Sequence, residues 1–283
     1  MRDRIISVSG APYDGHSRET MLESVARIGF SHLEPAFIVG YTDPFDESAF
    51  KSDEAKDWRR ALDTAGVACH AMSSHIDLGF DDAVAVFTGR MEFAAALGAR
   101  VIATNAAARV RETSFMRNIE VLLKRAEALG LIIALENPGD GSDNLINIAD
   151  DGVALIERLG SPCLRLNYDA ANTASHRPGL GDYAEDAIRA LPSSAHAHIK
   201  DVRRMEEGWI FAPIGEGDIG CVRLLKAIAA LPDFPISIEL PLRLHRDADA
   251  KPIRRTEPVP IEAIEKALTR SLLVVRQALG NPK

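Results

Sequence analysis

Only three cysteines occur in the 283-residue chain, Cys69, Cys163 and Cys221, and their wide separation fits neither a thiolate metal site nor a disulfide framework. They read as reduced core thiols, which implies a cytoplasmic protein. No apolar run approaches the length of a membrane span, and the opening MRDRIISVSGAP lacks the apolar stretch of a secretory signal. Positive charge is in deficit: 33 Lys and Arg against 41 Asp and Glu leave a net charge of −8. A nucleic-acid partner needs a basic surface to displace counterions, so none is expected. The turn after the first apolar run, SGAPYDGHS, matches neither the dinucleotide-binding nor the phosphate-loop glycine pattern. No Pro/Gly/Ser-rich linker or low-complexity tract divides the chain, so residues 1–283 read as one domain.

What the sequence does have is alternation. Short β-leaning runs fall at 5–9, 32–35, 67–72, 101–105, 131–136, 164–169, 195–200 and 235–240. Helix-like segments lie between and after them, at roughly 17–29, 53–65, 82–98, 115–129, 148–159, 182–190, 221–230 and 260–278. Gly29, Gly66, Gly98, Gly130 and Gly160 each stand where a helix should stop. Most strands recur after about thirty residues, the length of one βα unit. Eight such units predict an α/β protein with a single (β/α)8 TIM barrel rather than an open doubly wound sheet. The longest irregular piece, 241–259, reads as a lid loop before the last helix.

In such a barrel the C-terminal strand ends carry the chemistry. Here they present Glu34, His70, Asn105, Glu136, Asp169, His198 with Lys200, and Glu239. Any one of these alone is as readily a loop cap or a satisfied core group. Glu136, Asp169, His198 and Glu239, however, come from four successive strands. Three carboxylates and an imidazole at one height repel and protonate unless a cation holds them. A mixed oxygen and nitrogen set without thiolate suits Mn²⁺ in first place, with Mg²⁺, Co²⁺ or Zn²⁺ also compatible. Within the strand AHAHIKD, alternation puts His196, His198 and Lys200 on one face. His196 lies one layer deeper as a supporting group, and Lys200 one layer nearer the mouth, toward substrate. Glu34 and His70 are either substrate contacts or structural polar groups. Arg203 and Arg204 follow the seventh strand, and Arg243, His245, Arg246, Arg254 and Arg255 follow the eighth. The loops there are a usual phosphate site in this fold, so an anionic small-molecule substrate is expected.

The segments ALENPGDG, LNYDAANT, HAHIKDVRR, APIGEGDIG and ISIELP resemble the xylose-isomerase-like TIM-barrel superfamily over nearly the whole chain. That group holds sugar phosphate isomerases and epimerases, inosose dehydratase and type IV apurinic endonucleases. The resemblance implies one divalent metal ion on Glu136, Asp169, His198 and Glu239, with Glu136 and Glu239 as the proton-transferring pair. It also implies a substrate-binding role for Arg204, and Arg243 is expected to contact the substrate from the eighth loop. Many relatives carry Asp-x-x-His where this chain has Asp169-Ala170-Ala171-Asn172. Asn172 can hydrogen-bond a substrate hydroxyl but cannot serve as an imidazole base. That missing histidine and the acidic net charge both speak against the endonucleases. Dimers or tetramers are common in the family.

The expected function is therefore a divalent-metal-dependent isomerase or 3-epimerase of a keto-sugar or sugar-acid derivative, working through a metal-stabilised enediolate. HIKDVR and GEGDI resemble inosose dehydratase equally well. They keep open a lyase, either a dehydratase or a decarboxylase, on a keto-polyol or oxo-sugar acid. A metal-free barrel that binds sugar without turnover is the expectation from another class.

Overall fold

The computed structural model describes residues 4–280. Its strands are β1 (Ile6–Ser9), β2 (His32–Glu34), β3 (Ala36–Phe37), β4 (Ala71–Ser74), β5 (Val101–Asn105), β6 (Ile132–Glu136) and β7 (Leu164–Asp169). They continue with β8 (Ser194–Ile199), β9 (Asp201–Met205), β10 (Gly208–Ala212), β11 (Ile236–Ile238), β12 (Leu244–Asp247) and β13 (Pro252–Arg254). The α-helices are α1 (Arg18–Ile28), α2 (Ser52–Ala65), α3 (Ala83–Leu97), α4 (Glu112–Leu129) and α5 (Ala149–Leu159). They are followed by α6 (Ala170–His176), α7 (Tyr183–Ala190), α8 (Cys221–Ala229) and α9 (Ile261–Ala278).

The parallel sheet runs β2-β1-β11-β8-β7-β6-β5-β4-β3. β2 and β3 are one strand interrupted at Pro35, which has no N–H to donate. Its first part pairs with β1 and its second with β4, and the Pro35 carbonyl accepts from Ser73 N at 3.0 Å. The ends of the sheet therefore meet in that strand and the barrel closes. Helices begin and stop as the sequence reading expected. The Ser17 hydroxyl accepts from Thr20 N at the start of α1, and Gly29, at φ 95°, ends it in a conformation that a side chain would strain.

The core has two parts. Outward-facing strand residues such as Val8, Leu33, Met72, Ile102, Ile133 and Leu135 pack against the helices in one large apolar cluster. Full burial of each is worth about 1.5–3 kcal/mol. A separate cluster of Ala71, Val101 and Ala134 faces the barrel interior. These are small side chains, and much of the remaining interior is polar: Ser7, Glu34, Ser73, Asn167, His196 and Ser237 are all 0% exposed. A barrel this polar inside is built to hold a site rather than to fill a core.

Two expectations change. β4 begins after His70, so this histidine sits at the N-terminal end of the strand, opposite the catalytic mouth. The strand end at the mouth is followed by His75 instead. Segment 241–259 is also not irregular: β12 and β13 join β9 and β10 in an antiparallel sheet of order β13-β12-β10-β9. β9 and β12 are dense in charge, which hides them from a hydrophobicity reading, while the apolar β10 falls outside the βα repeat. Leu244 and Arg246 alternate inward nonetheless, and Asp247 caps the tight turn by accepting from Asp249 N and Lys251 N at 3.0 and 2.9 Å. α6 was not foreseen either; its residues are small or polar and all buried.

This second sheet is tied to the barrel through Asp14, in the loop after β1. The Asp14 carboxylate accepts from Arg254 Nε and Nη2, both at 2.7 Å, and from Arg243 Nη1 at 3.3 Å. Asp14→Ala would leave Arg254 with Asp43 alone, at 2.6 Å, and Arg243 with Asp43 at 3.9 Å and two backbone carbonyls. Because Arg254 is 30% exposed and keeps one carboxylate, the expected loss is below that of a fully broken buried pair, about 2 kcal/mol. Urea denaturation measures that loss, and amide exchange should accelerate selectively in 244–254. Unchanged exchange there would show that Asp14 does not anchor the sheet.

Candidate active site and metal centre

Glu136 closes β6, Asp169 closes β7, His198 lies in β8 and Glu239 follows β11. Ladder register staggers them along adjacent strands: Asp169 pairs with His198, Glu136 pairs with Asn167 two residues before Asp169, and His198 pairs with Ser237 two residues before Glu239. All four are buried, and one potential ligand atom from each lies within 4.8 Å of the others. The His198 ring is held between two sets of charge. Nε2 lies 2.9 Å from Glu34 Oε1, while Nδ1 faces Glu136 Oε2 at 3.1 Å and Glu239 Oε2 at 3.5 Å. A carboxylate behind the imidazole and an outward nitrogen is the arrangement that orients metal-binding histidines. Ser73 Oγ hydrogen-bonds the same Glu34 oxygen.

The other groups are oriented as closely. Glu136 Oε2 accepts from Asn167 Nδ2 at 2.6 Å, and its Oε1 accepts from Asn172 Nδ2 at 2.9 Å. His196 Nδ1 lies 2.9 Å from Asn167 Oδ1, so a chain runs from the deep histidine to the Glu136 carboxylate. Asp169 Oδ1 caps α6 by accepting from Ala171 N and Asn172 N, whereas its buried Oδ2 accepts no hydrogen bond. Lys200 extends its ammonium into the cluster, 2.7 Å from that oxygen and hydrogen-bonded to Glu239 Oε2.

Burial opposes charge on every group here, and the neighbours decide the outcome. Burial works to raise the Glu136 carboxyl, but His198 and His75 hold it well below the usual range. Burial works to lower His198, but Glu136, Glu239 and Glu34 raise it well above its usual value. The Lys200 ammonium is likewise held above its usual value, against burial, by Asp169 and Glu239. Asp169 is pushed up by burial, and Lys200 only partly offsets this. Glu34 is brought down to about 2, against burial, chiefly by His198. Burial lowers His196 to about 4, which keeps it neutral.

A cavity of about 310 Å³ opens onto this cluster, lined by Glu136, Asn172, Lys200, Glu239, His75 and Arg246 among others. A larger groove of about 810 Å³ lies outside the barrel, lined by residues of α2 and α3, and holds none of the strand-end groups.

The expected substrate contacts divide. Lys200 and Asn172 line the cavity, but both Asn172 amide donations go to Glu136 and the Asn137 carbonyl, so it orients the carboxylate. Glu34 lies behind His198, inside the barrel, and His70 is at the far end. Arg204 stands exposed on β9 with its guanidinium over Trp209, because the strand turns outward into the second sheet. Arg243 is buried against Asp14 and the carbonyls of Arg255 and Thr256. None of these four lines the cavity. Other residues do, among them His75, with Nε2 3.3 Å from Glu136 Oε2, Tyr41, and Arg246 of the arginine cluster after the eighth strand. His75 could have been found by moving the fourth strand a few residues along the chain.

The cluster suits a divalent ion on its own chemistry: four convergent hard or borderline donors, one imidazole already backed by a carboxylate, and one carboxylate oxygen, Asp169 Oδ2, met only by the Lys200 ammonium.

Residues 22–257 match the family described as xylose isomerase-like TIM barrel. A search of the curated proteins finds no match. The fold resembles D-psicose 3-epimerase of Clostridium cellulolyticum H10, solved with D-tagatose, at TM-score 0.72 and 17% identity, covering 97% of this chain and 99% of that one. It also resembles a xylose isomerase-like TIM barrel protein from Mycobacterium smegmatis in complex with magnesium, at TM-score 0.72 and 17% identity, covering 98% of each chain. A probable 3-DHS dehydratase from Bacillus anthracis follows at TM-score 0.68 and 13% identity, covering 93% of this chain and 98% of that one. At such identities the likeness is one of fold.

Lys200→Met removes the ammonium that separates Asp169 from Glu239. In chelator-treated protein, chemical denaturation should show a loss of about 3 kcal/mol or more. Added Mn²⁺ should then raise the melting temperature of the variant by more than it raises that of the unaltered protein. Equal stability of the two metal-free proteins would show that the ammonium is not what holds the carboxylates together.

Proposed function

Since the chain belongs to the xylose isomerase-like TIM barrel family, we propose that it is a divalent-metal-dependent isomerase or 3-epimerase of a keto-sugar or sugar-acid derivative. The observation that carries this reading is the convergence of Glu136 and Glu239 with Asp169 and His198 on one small cavity. An ion held by these four residues, Mn²⁺ in first place, with Mg²⁺, Co²⁺ or Zn²⁺ as alternatives, supplies polarisation of a substrate carbonyl and its neighbouring hydroxyl.

The chain's own groups then divide the proton transfers. Glu136 is fixed by Asn167 and Asn172, so one carboxylate has a single orientation toward substrate. It takes the proton from the carbon beside the carbonyl, leaving an enediolate. Glu239 comes from a different strand and, taking up a proton from the Lys200 ammonium that it accepts a hydrogen bond from, returns it from another direction, which inverts the centre. Return to the neighbouring carbon instead gives aldose–ketose isomerisation. The cavity, at about 310 Å³, is at the small end for ligand sites and suits a single sugar unit. Among the described residues no helix is long and apolar enough to cross a membrane. The free thiols of Cys69, Cys163 and Cys221 support a cytoplasmic setting.

A lyase is the second reading, and Lys200 favours it. An ammonium in reach of Asp169 and Glu239 can donate a proton to a departing hydroxyl, which turns the same enediolate toward dehydration.

Incubation with Mn²⁺ and a panel of ketoses, inososes, sugar phosphates and sugar acids in D₂O separates these outcomes. Deuterium uptake with no change of molecular formula marks the isomerase or epimerase; loss of water or CO₂ marks the lyase. Glu136→Gln should reduce either activity by about 100-fold or more. Full activity in that variant removes Glu136 from proton transfer, and failure to bind any divalent ion removes the metal from the reading.

A further inference from the structure

Three arginines are buried among the described residues: Arg90, Arg243 and Arg246. Arg90 pairs with Glu47, and Arg243 pairs with Asp14. Arg246 is only 4% exposed, and its partners are neutral. Nη1 donates to the Ala250 carbonyl at 3.0 Å, Nη2 reaches Asn172 Oδ1 at 3.4 Å, and the guanidinium lies 5.5 Å over the Tyr41 ring. Two neutral acceptors leave most of its five N–H donors unused and its charge uncompensated. A permanently charged group is costly to bury in that state unless something supplies the anion.

The surroundings keep the arginine in place. β12 delivers it through the second sheet, and a Cβ on Gly139 would collide with both its guanidinium and Asn172 Oδ1. Glycine at 139 is what lets the chain pass so close. Asp140 also lines the cavity, but its side chain is 55% exposed and its ion-pair contact is with His176. The other cavity carboxylates, Glu136 and Glu239, are engaged by His198 and Lys200.

We infer that Arg246, with Tyr41 beside it, binds an anionic group of the substrate, either a phosphate ester or a carboxylate. This rests on the isomerase reading for the identity of the substrate's other end. Asn172 sets the scale: its amide nitrogen holds Glu136 while its oxygen faces Arg246. The anion subsite is thus one side chain away from the proton-transferring carboxylate. Both ends fit one small molecule, a keto-sugar phosphate or a keto-sugar acid. The guanidinium offers the paired donors that either oxyanion accepts in a bidentate manner.

The test measures binding of inorganic phosphate and, separately, of glycolate by calorimetry, with and without saturating Mn²⁺. The proteins are the full chain, Arg246→Gln and Arg246→Lys. At least one anion should bind without metal, and Arg246→Gln should weaken it by about 10- to 100-fold. Arg246→Lys should retain part of the affinity, which separates lost charge from lost folding. The arm that binds more tightly identifies phosphate or carboxylate as the substrate group. Anion binding that requires Mn²⁺ and ignores Arg246→Gln would overturn the subsite, as would no anion binding at all. The measurement involves no turnover. Failure of the isomerase reading therefore shows separately, as absent deuterium exchange in a protein that still binds the anion through Arg246.

Discussion

Like charges brought together out of water are the constraint on which the rest of this molecule depends. Glu136, Asp169 and Glu239 converge in a buried space less than 5 Å across. Two like charges at about that separation repel by roughly 3 kcal/mol at an effective dielectric of 20. The fold answers with cations from a single strand and its continuation. His198 faces Glu136 and Glu239, and Lys200, two residues on, reaches Asp169 and Glu239. Strand alternation makes this economical: both cations face inward, and Ile199 between them joins the outer apolar core.

The same constraint explains the polar barrel interior. His198 is held in its charged form by Glu136 and Glu239 on the mouth side and by Glu34 at the opposite ring nitrogen. Glu34 in turn is buried and needs Ser73 and the imidazole to stay ionised there. Asn167 meanwhile joins His196 to Glu136. These links join successive layers, although Ser7 Oγ, Ser237 Oγ, Glu34 Oε2 and His196 Nε2 have no hydrogen-bond partner among the described residues, and the polar side chains leave little room for branched apolar ones inside. Stability is moved outward, to the cluster between strands and helices, and the barrel axis is given over to orientation.

Much of this was legible in the sequence because barrel periodicity and strand-end chemistry are local signals. Glu136, Asp169 and His198 each close or nearly close a run of β-branched or alternating residues, and the run ISIEL carries Glu239 just past β11. Their convergence follows from the fold. Where the signal was not local, it failed. The run VACHAM looks more strand-like than the AMSS that forms β4, because serine is a poor strand former on the surface but acceptable inside a polar barrel. That shift exchanged His75 for His70. In the second sheet charge hides β9 and β12, the latter burying Arg246 rather than an apolar face, and the apolar β10 falls outside the βα repeat. Of the arginines after β8 and β11, only partners distant in sequence decide which is spent on structure. Asp14, some 230 residues away, takes Arg243, and among the described residues no carboxylate takes Arg246.

Lys200 draws on oxygens of Asp169 and Glu239, two of the four residues that would hold the proposed divalent ion. A strand that carries an ammonium at this height keeps the cluster assembled before any ion arrives, since the carboxylates never face one another uncompensated. It would also set a cost on metal binding, because an ion held by these residues would compete with a resident charge. On the proposed reading, Lys200, which already lines the cavity, would stand free to face substrate when the site is loaded. The residue that stabilises the metal-free site would then serve as a proton donor, and its position would set the balance between isomerisation and loss of a hydroxyl.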